Sequence, residues 1–353
     1  MGRHHVRVYS QLPAARLVGV IDQNIERAKA LAEPLGVRYA ERWTPEFADI
    51  AAATIAVPTV HHLAAARPLI ERGIGVLIEK PLAPTVAEAL EIAALSRRHN
   101  CIVHVGHTER FNPAVLAVQR LGIRPKFIES HRISPFTFRS ADVGVVFDMM
   151  IHDIDVMLHL VRDEVARVDA VGVNVLGPHE DVANVRIACR GGAVADLTAS
   201  RLALKTERRL RVFAENAYIS LDYHKRSGVA IQLDRNLDVI KFARERNVDD
   251  LSQLAGVDFG KMVNVEPLTI ENSDPLTTEL TAFLDAVRLR RSGGGAAGGP
   301  QAADVDDGVT AVRVASMIVD AIRAHRWDGA ADGRVGLEAD IVGAKARSTG
   351  RPE

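Results

Sequence analysis

The segment VVFDMMIHDIDVMLHLV, residues 145–161, constrains the chain more than any other stretch. Set on a helix at about 100° per residue, its apolar side chains cover most faces. Four polar residues, Asp148, His152, Asp155 and His159, follow at spacings of four, three and four. Those spacings gather them into one stripe roughly 60° wide, with Asp153 off it. A helix that is apolar nearly all round is a buried helix. Burying two carboxylates and two imidazoles without partners is costly. The stripe is therefore expected to be a satisfied core network or the wall of a polar cavity, and the remainder of the chain favours the second.

Ahead of this helix, short apolar runs alternate with helical patterns. Residues 16–21 (RLVGVI), 52–57 (AATIAV), 76–79 and 102–106 read as buried strands. Helices are predicted over 24–35, 62–72 and 85–99, the last opened by Thr85 and Glu88 at capping-box spacing. Strands alternating with helices imply βαβ units and a parallel sheet. After about residue 125 the texture changes to strands with short turns, at 165–175, 183–189, 193–202, 209–214, 218–222 and 230–234. Gly191-Gly192 gives a hairpin signal. Helices at 277–291 and 305–325 close the chain. The fold class is an α/β Rossmann domain with a parallel sheet, followed by an α+β domain with a large, mostly antiparallel sheet.

The length of 353 residues suits two domains, each with its own core. Lys and Arg number 44 against 45 Asp and Glu, a net charge of −1, which argues against a nucleic-acid or membrane-surface partner. Cys101 and Cys189 sit in apolar segments and form neither a disulfide framework nor a zinc spacing, as expected of a reducing cytoplasm. The N-terminus lacks the apolar core of a signal peptide, and no apolar run reaches membrane-spanning length.

A dinucleotide-binding sheet begins with a strand and a glycine-rich turn, then a helix whose N-terminus receives the pyrophosphate. This chain opens on the helix. Gly2 takes the place of the last glycine of G-x-G-x-x-G, and the first strand and first two glycines are absent from this chain. They are expected ahead of Met1, behind a misplaced start codon; a true truncation is the alternative. The absent strand is the central one of the doubly wound order, so its loss should interrupt the sheet. Asp22, ending the run 16–21 about 20 residues beyond Gly2, stands where an acid accepts the adenosine ribose hydroxyls. An acid there favours NAD over NADP by repelling the extra phosphate.

Pro58, then His62, then Glu79-Lys80-Pro81, and later Asp148 with His152 one helical turn on, occur together in an order and spacing that resemble the Gfo/Idh/MocA family (glucose–fructose oxidoreductase and inositol dehydrogenase). The resemblance runs from Gly2 to about His325. It implies an NAD-binding domain over 1–122 and a substrate and oligomerisation domain over 123–328; the Gly-, Ala- and charge-rich tail over 329–353 is expected to be disordered. It also implies a homodimer or homotetramer packed through the second sheet. Within the family, VGHTERFNPAV (105–115) and DVGVVFDMMIHDID (142–155) are most similar to UDP-N-acetylglucosamine 3-dehydrogenases. The implied activity is hydride transfer from a sugar hydroxyl carbon to NAD, most closely on a nucleotide sugar at C3.

Three residues are expected to carry the chemistry. His152, with a near-neutral reference pKa, suits a general base. Asp148, one turn earlier, can hold the ring and stabilise imidazolium. Lys80 can donate to the alcohol oxygen as alkoxide character develops. The cofactor is expected to meet Gly2, Asp22, Pro58, Thr59, His62, Glu79, Lys80, Pro81 and Arg110. The substrate is expected to meet Lys80, Glu109, Asn112, Arg132, Arg139, His152 and Asp155, with the two arginines holding a sugar diphosphate. No metal is expected. The rivals are an inositol or other sugar dehydrogenase of the same family, a non-catalytic ligand-binding relative, and a metal hydrolase using the stripe as ligands. The last leaves Asp22 and Glu79-Lys80-Pro81 unexplained.

Overall fold

The computed structural model describes residues 1–47, 49–136, 143–223, 225–233, 263–294, 299 and 301–327. Arg139 and the tail expected over 329–353 lie outside the described residues. The chain divides into two compact units: Met1–Asn112 with Ser273–Met317, and Pro113–Asn272 with Ile318–Glu353.

The first unit opens on α1 (Gly2–Gln11), followed by β1 (Gly19–Ile21), α2 (Ile25–Ala32), β2 (Arg38–Ala40), β3 (Ala52–Ile55), α3 (His62–Ile70), β4 (Gly75–Glu79), α4 (Val86–Arg98) and β5 (Val103–Gly106). Helix α4 starts where the capping box predicts, with Thr85 Oγ1 accepting the Glu88 amide at 3.2 Å. All five residues of β4 are buried, as a parallel strand covered on both faces must be. Strands β3, β4 and β5 form one parallel sheet in that order, and β1 pairs with β2 in parallel as another. No pairing joins β1 to β3 among the described residues. The doubly wound order puts its first strand between these two, so the sheet divides at the predicted interruption. A later helix, α7 (Pro275–Arg291), closes this core. Its Leu280, Phe283, Ala286 and Val287 pack with Val8 of α1 and Leu77 of β4. The first part of α8 (Val305–Ala324) completes the unit.

The second unit contains α5 (Pro113–Arg120), β6 (Phe127–Ile133), α6 (Ile151–Val161) and strands β7 (Val165–Val173), β8 (Val182–Cys189), β9 (Val194–Ser200), β10 (Glu207–Phe213), β11 (Ala217–Asp222), β12 (Ser227–Leu233) and β13 (Val263–Pro267). The eight strands form one sheet ordered β13-β12-β11-β10-β6-β9-β8-β7. Every neighbouring pair is antiparallel except β6 with β9. Gly192, at φ +94°, makes the β8–β9 turn, a conformation that L side chains avoid.

Sequence reading missed β2, β6, β13 and α5. It also drew 145–161 as one α-helix. The segment begins instead with a π-helical turn, Val146–Met150, and only then becomes α6. Such turns are rare and gather at functional sites. The helix buries Val146, Met150, Ile151, Ile154, Val156 and Met157 and packs on β6 and β9.

Candidate active site

In the first unit the predicted residues gather at the carboxyl ends of the parallel strands, where open α/β sheets bind ligands. Asp22 follows β1. Its amide donates to Ala40 O at 3.1 Å, and its Oδ1 accepts the Asn24 amide at 2.8 Å. The carboxylate is thus fixed by the turn on one oxygen, and the residue is half-buried. Pro58 and Thr59 follow β3 and begin a short 3₁₀ turn, Thr59–His61. Glu79 ends β4, and Lys80 and Pro81 continue it through a cis peptide bond. Lys80 is half-buried, whereas Glu79 and Pro81 are buried.

His62 lies below these loops, 1% exposed. Its Nε2 is 3.0 Å from Val57 O, and its Nδ1 is 3.0 Å from Pro81 O and 3.2 Å from Leu82 O. Burial holds the ring's pKa below its ordinary value, against the opposing pull of those carbonyls and Glu79. His62 therefore clamps the loop after β3 to the loop after β4, and any service to a cofactor passes through those loops. Sequence reading overlooked His5 of α1. Its Nε2 donates to Glu79 Oε1 at 2.7 Å with both residues buried. A histidine three residues past Gly2 was the available signal.

After β5, Glu109 Oε2 accepts from Asn112 Nδ2 at 2.9 Å, so these two predicted substrate residues stand together. Arg110 is 2% exposed and donates to Asp307 Oδ2 at 2.9 Å. Its charge is answered within the unit, which leaves its expected cofactor contact without support.

These features fit a dinucleotide. Gly2 begins α1, no side chain caps that end, and a Cβ on Gly2 would stand in ordinary contact with Ala56 Cβ at 3.9 Å. Amides at a helix N-terminus suit a pyrophosphate. Asp22 offers its carboxylate at the end of the following strand.

In the second unit the stripe divides along its length. Asp148, on the π-helical turn, and His152, in the first turn of α6, are half-buried. Asp155 and His159 are buried, at 1% and 9% exposure, and His159 hydrogen-bonds Gln119 of α5. The open end of the stripe thus presents the expected base and its partner, while the closed end belongs to a core network. Among the described residues no group of three or more His, Cys, Asp or Glu is placed to hold a metal ion.

Arg132 and Asp153 explain each other. Arg132 lies in β6 at 4% exposure, with Nε 2.7 Å from Asp153 Oδ2 and Nη2 3.2 Å from Oδ1. Ser130 Oγ donates to the same Oδ1 at 2.9 Å. Asp153, off the stripe, thus bolts α6 to the sheet. A guanidinium committed to this buried pair is withdrawn from the diphosphate role expected of it. Sequence reading also missed Arg201 and Asp181, at 4% and 0% exposure, whose Nε and Oδ1 are 2.6 Å apart. Burial alone would raise the Asp181 carboxyl; the Val175 and Leu176 amides and Arg201 together hold it below its ordinary value.

Comparison with known proteins agrees with this fold. Residues 1–107 match the model of the Gfo/Idh/MocA oxidoreductase family with an NAD-binding Rossmann fold, and residues 124–220 match that family's C-terminal domain. The chain is 30% identical over 292 residues to UDP-N-acetylglucosamine 3-dehydrogenase of Acidithiobacillus ferrooxidans, covering 82% of this chain and 87% of that one. A solved structure of that enzyme superposes with a TM-score of 0.77 at 28% identity, over 91% of this chain and 94% of the other. A scyllo-inositol 2-dehydrogenase (NAD+) of Bacillus subtilis is 28% identical over 223 residues, covering 57% of this chain and 64% of that one. The chain therefore belongs to the Gfo/Idh/MocA family of NAD-binding oxidoreductases.

Proposed function

We propose that the chain oxidises the C3 hydroxyl of UDP-N-acetylglucosamine, or of a closely related nucleotide sugar. The half-buried pair Asp148 and His152, at the open end of an otherwise buried stripe, carries the catalytic reading. The similarity to UDP-N-acetylglucosamine 3-dehydrogenase over 87% of that enzyme's length favours the substrate.

His152 takes the hydroxyl proton, and Asp148 steadies the imidazolium that results. The Lys80 ammonium donates to the substrate oxygen as negative charge grows on it. Bound NAD supplies the hydride acceptor. Gly2 with the first amides of α1, Asp22, Pro58, Thr59 and Glu79-Lys80-Pro81 hold the dinucleotide, with His62 fixing the two loops between them. Glu109 and Asn112 serve the sugar, whereas Asp155, expected beside them, lies in the buried core network. The diphosphate role falls to Arg139, since Arg132 is committed to Asp153. We assign cofactor binding to residues 1–122, which also lend Lys80, Glu109 and Asn112 to the substrate, and the remaining substrate binding and self-association to 123–328. The assembly is a cytoplasmic homodimer or homotetramer formed through the eight-stranded sheet. No helix among the described residues is long and apolar enough to cross a membrane.

The test is NAD-dependent oxidation of UDP-N-acetylglucosamine, with inositols and free hexoses as controls. Turnover of an inositol alone would discard the substrate and keep the reaction class, a reading that the scyllo-inositol 2-dehydrogenase relative favours. NAD binding without turnover of any sugar would point to a ligand-binding protein.

A further inference from the structure

The helix that carries Asp148 and His152 begins without a cap of its own. No side chain of the segment satisfies its first amides, which an isolated helix leaves orphaned. Glu180, 34 residues further on in the loop between β7 and β8, satisfies them instead. Its main-chain oxygen accepts the Val145 amide at 3.0 Å, and its Oε1 accepts the Val146 amide at 3.2 Å. The carboxylate lies over Gly144 so closely that a Cβ on Gly144 would fall within it. Gly144 O in turn accepts the Asp148 amide at 3.1 Å.

The same loop is tied down beside this cap. Asp181 Oδ2 accepts the Val175 and Leu176 amides at 2.6 and 2.7 Å. Arg201 Nη1 donates to Val143 O at 2.7 Å. Residues 143–146 are thus held through main-chain atoms by two partners from distant parts of the chain. A carboxylate at a helix N-terminus is also favoured by the aligned peptide dipoles.

We infer that Glu180 is a positioning residue that caps the proposed catalytic helix from the β7–β8 loop and fixes the turn that carries Asp148, four residues before His152. Its catalytic consequence rests on the proposed roles of Asp148 and His152; its structural content does not. Gly144 is required for the same reason, because any side chain there expels the capping carboxylate.

The test is amide hydrogen exchange over residues 145–150, together with an NMR titration of His152, on Glu180→Ala, Glu180→Gln and Gly144→Ala. Neither readout requires NAD or a sugar. Loss of a cap should speed exchange over 145–150 by about five- to tenfold. Glu180→Ala and Gly144→Ala should both do so and move the His152 midpoint, whereas Glu180→Gln, which keeps an acceptor, should stay near wild type. Should the replacements not fold, the wild type still decides the matter: its Val145 and Val146 amides should exchange more slowly than the first-turn amides of α4. Wild-type exchange and an unmoved His152 midpoint in Glu180→Ala would overturn the inference, as would a Glu180→Gln variant no better than Glu180→Ala. Failure of the proposed base is recognised separately, as full turnover in His152→Ala.

Discussion

In the first unit the proposed functional residues stand on loops at strand ends, and main-chain carbonyls and short turns hold them. His62 clamps two such loops, and Asp22 is fixed by the turn that it begins. In the second unit the proposed functional residues stand on a helix, and the buried Arg132–Asp153 pair holds that helix to a continuous sheet. The first arrangement suits a ligand gripped at many points by backbone. The second suits a few side chains that must keep a fixed angle to one bond. The contrast also separates tolerance: loop residues can be replaced with local consequences, whereas the bolts of the helix cannot.

The sharpest way to break this division is to remove one proposed catalytic group from each unit. His152→Ala and Lys80→Ala should each lower kcat by roughly 10²–10⁴-fold. NADH affinity, read by fluorescence titration, should barely move in His152→Ala, whose side chain is not assigned to the dinucleotide, and should weaken in Lys80→Ala, whose residue is assigned to both cofactor and substrate. Loss of NADH binding in His152→Ala would dissolve the division.

Next in size is the buried bolt. Arg132→Ala leaves Asp153 charged and buried, and should cost about 3–5 kcal/mol in urea unfolding. Replacing both members with apolar residues should recover much of that loss. By comparison, the exposed Arg186–Asp196 pair at 2.9 Å on the same sheet should contribute under about 1 kcal/mol.

Much of this could be read in advance. The stripe was visible because helical period and apolar surroundings coincide in one segment. The βαβ order was visible because β4 and its neighbours are mostly apolar and alternate with helical patterns. What stayed hidden has a common cause. Strand β6 faces α6 with Ile128, Ser130 and Arg132, and the two polar side chains both bond Asp153. With polar residues on its inward face, the strand loses the alternation that marks strands. Without β6, Arg132 looked like a loop cation and Asp153 like a stray acid. Strand β2 was hidden by brevity and exposure. The pair Asp181 and Arg201, like the Glu180 cap, joins residues with no sequence period between them.

A smaller effect separates the units by pH. His104 in β5 is buried beside Phe283, and burial depresses its pKa to about 4. The folded ring stays neutral where the unfolded ring, near 6.5, takes up a proton. Stability from this residue is complete above about pH 6.5 and is lost as pH falls toward 4. Between pH 7 and 5 the first unit should lose on the order of 1–2 kcal/mol, read as a lower urea midpoint, and His104→Gln should flatten that slope.

The smallest expected change is in cofactor choice. Asp22→Ala should narrow the preference for NADH over NADPH by about tenfold, measured as a ratio of Kd values. A wild type that binds NADPH better would remove Asp22 from the ribose.

The place of β6 in the sheet also has a kinetic side. It pairs with β9 and β10, some 67 to 86 residues away along the chain, whereas β8 and β9 meet across a tight turn. Closing a long loop costs entropy before any contact repays it. Hairpins can therefore form early, while the strand that receives α6 docks late. Changes at Arg132 or Asp153 should then appear mainly as faster unfolding, with refolding rates little altered. Arg132→Ala would shorten the lifetime of the folded state far more than it delayed folding.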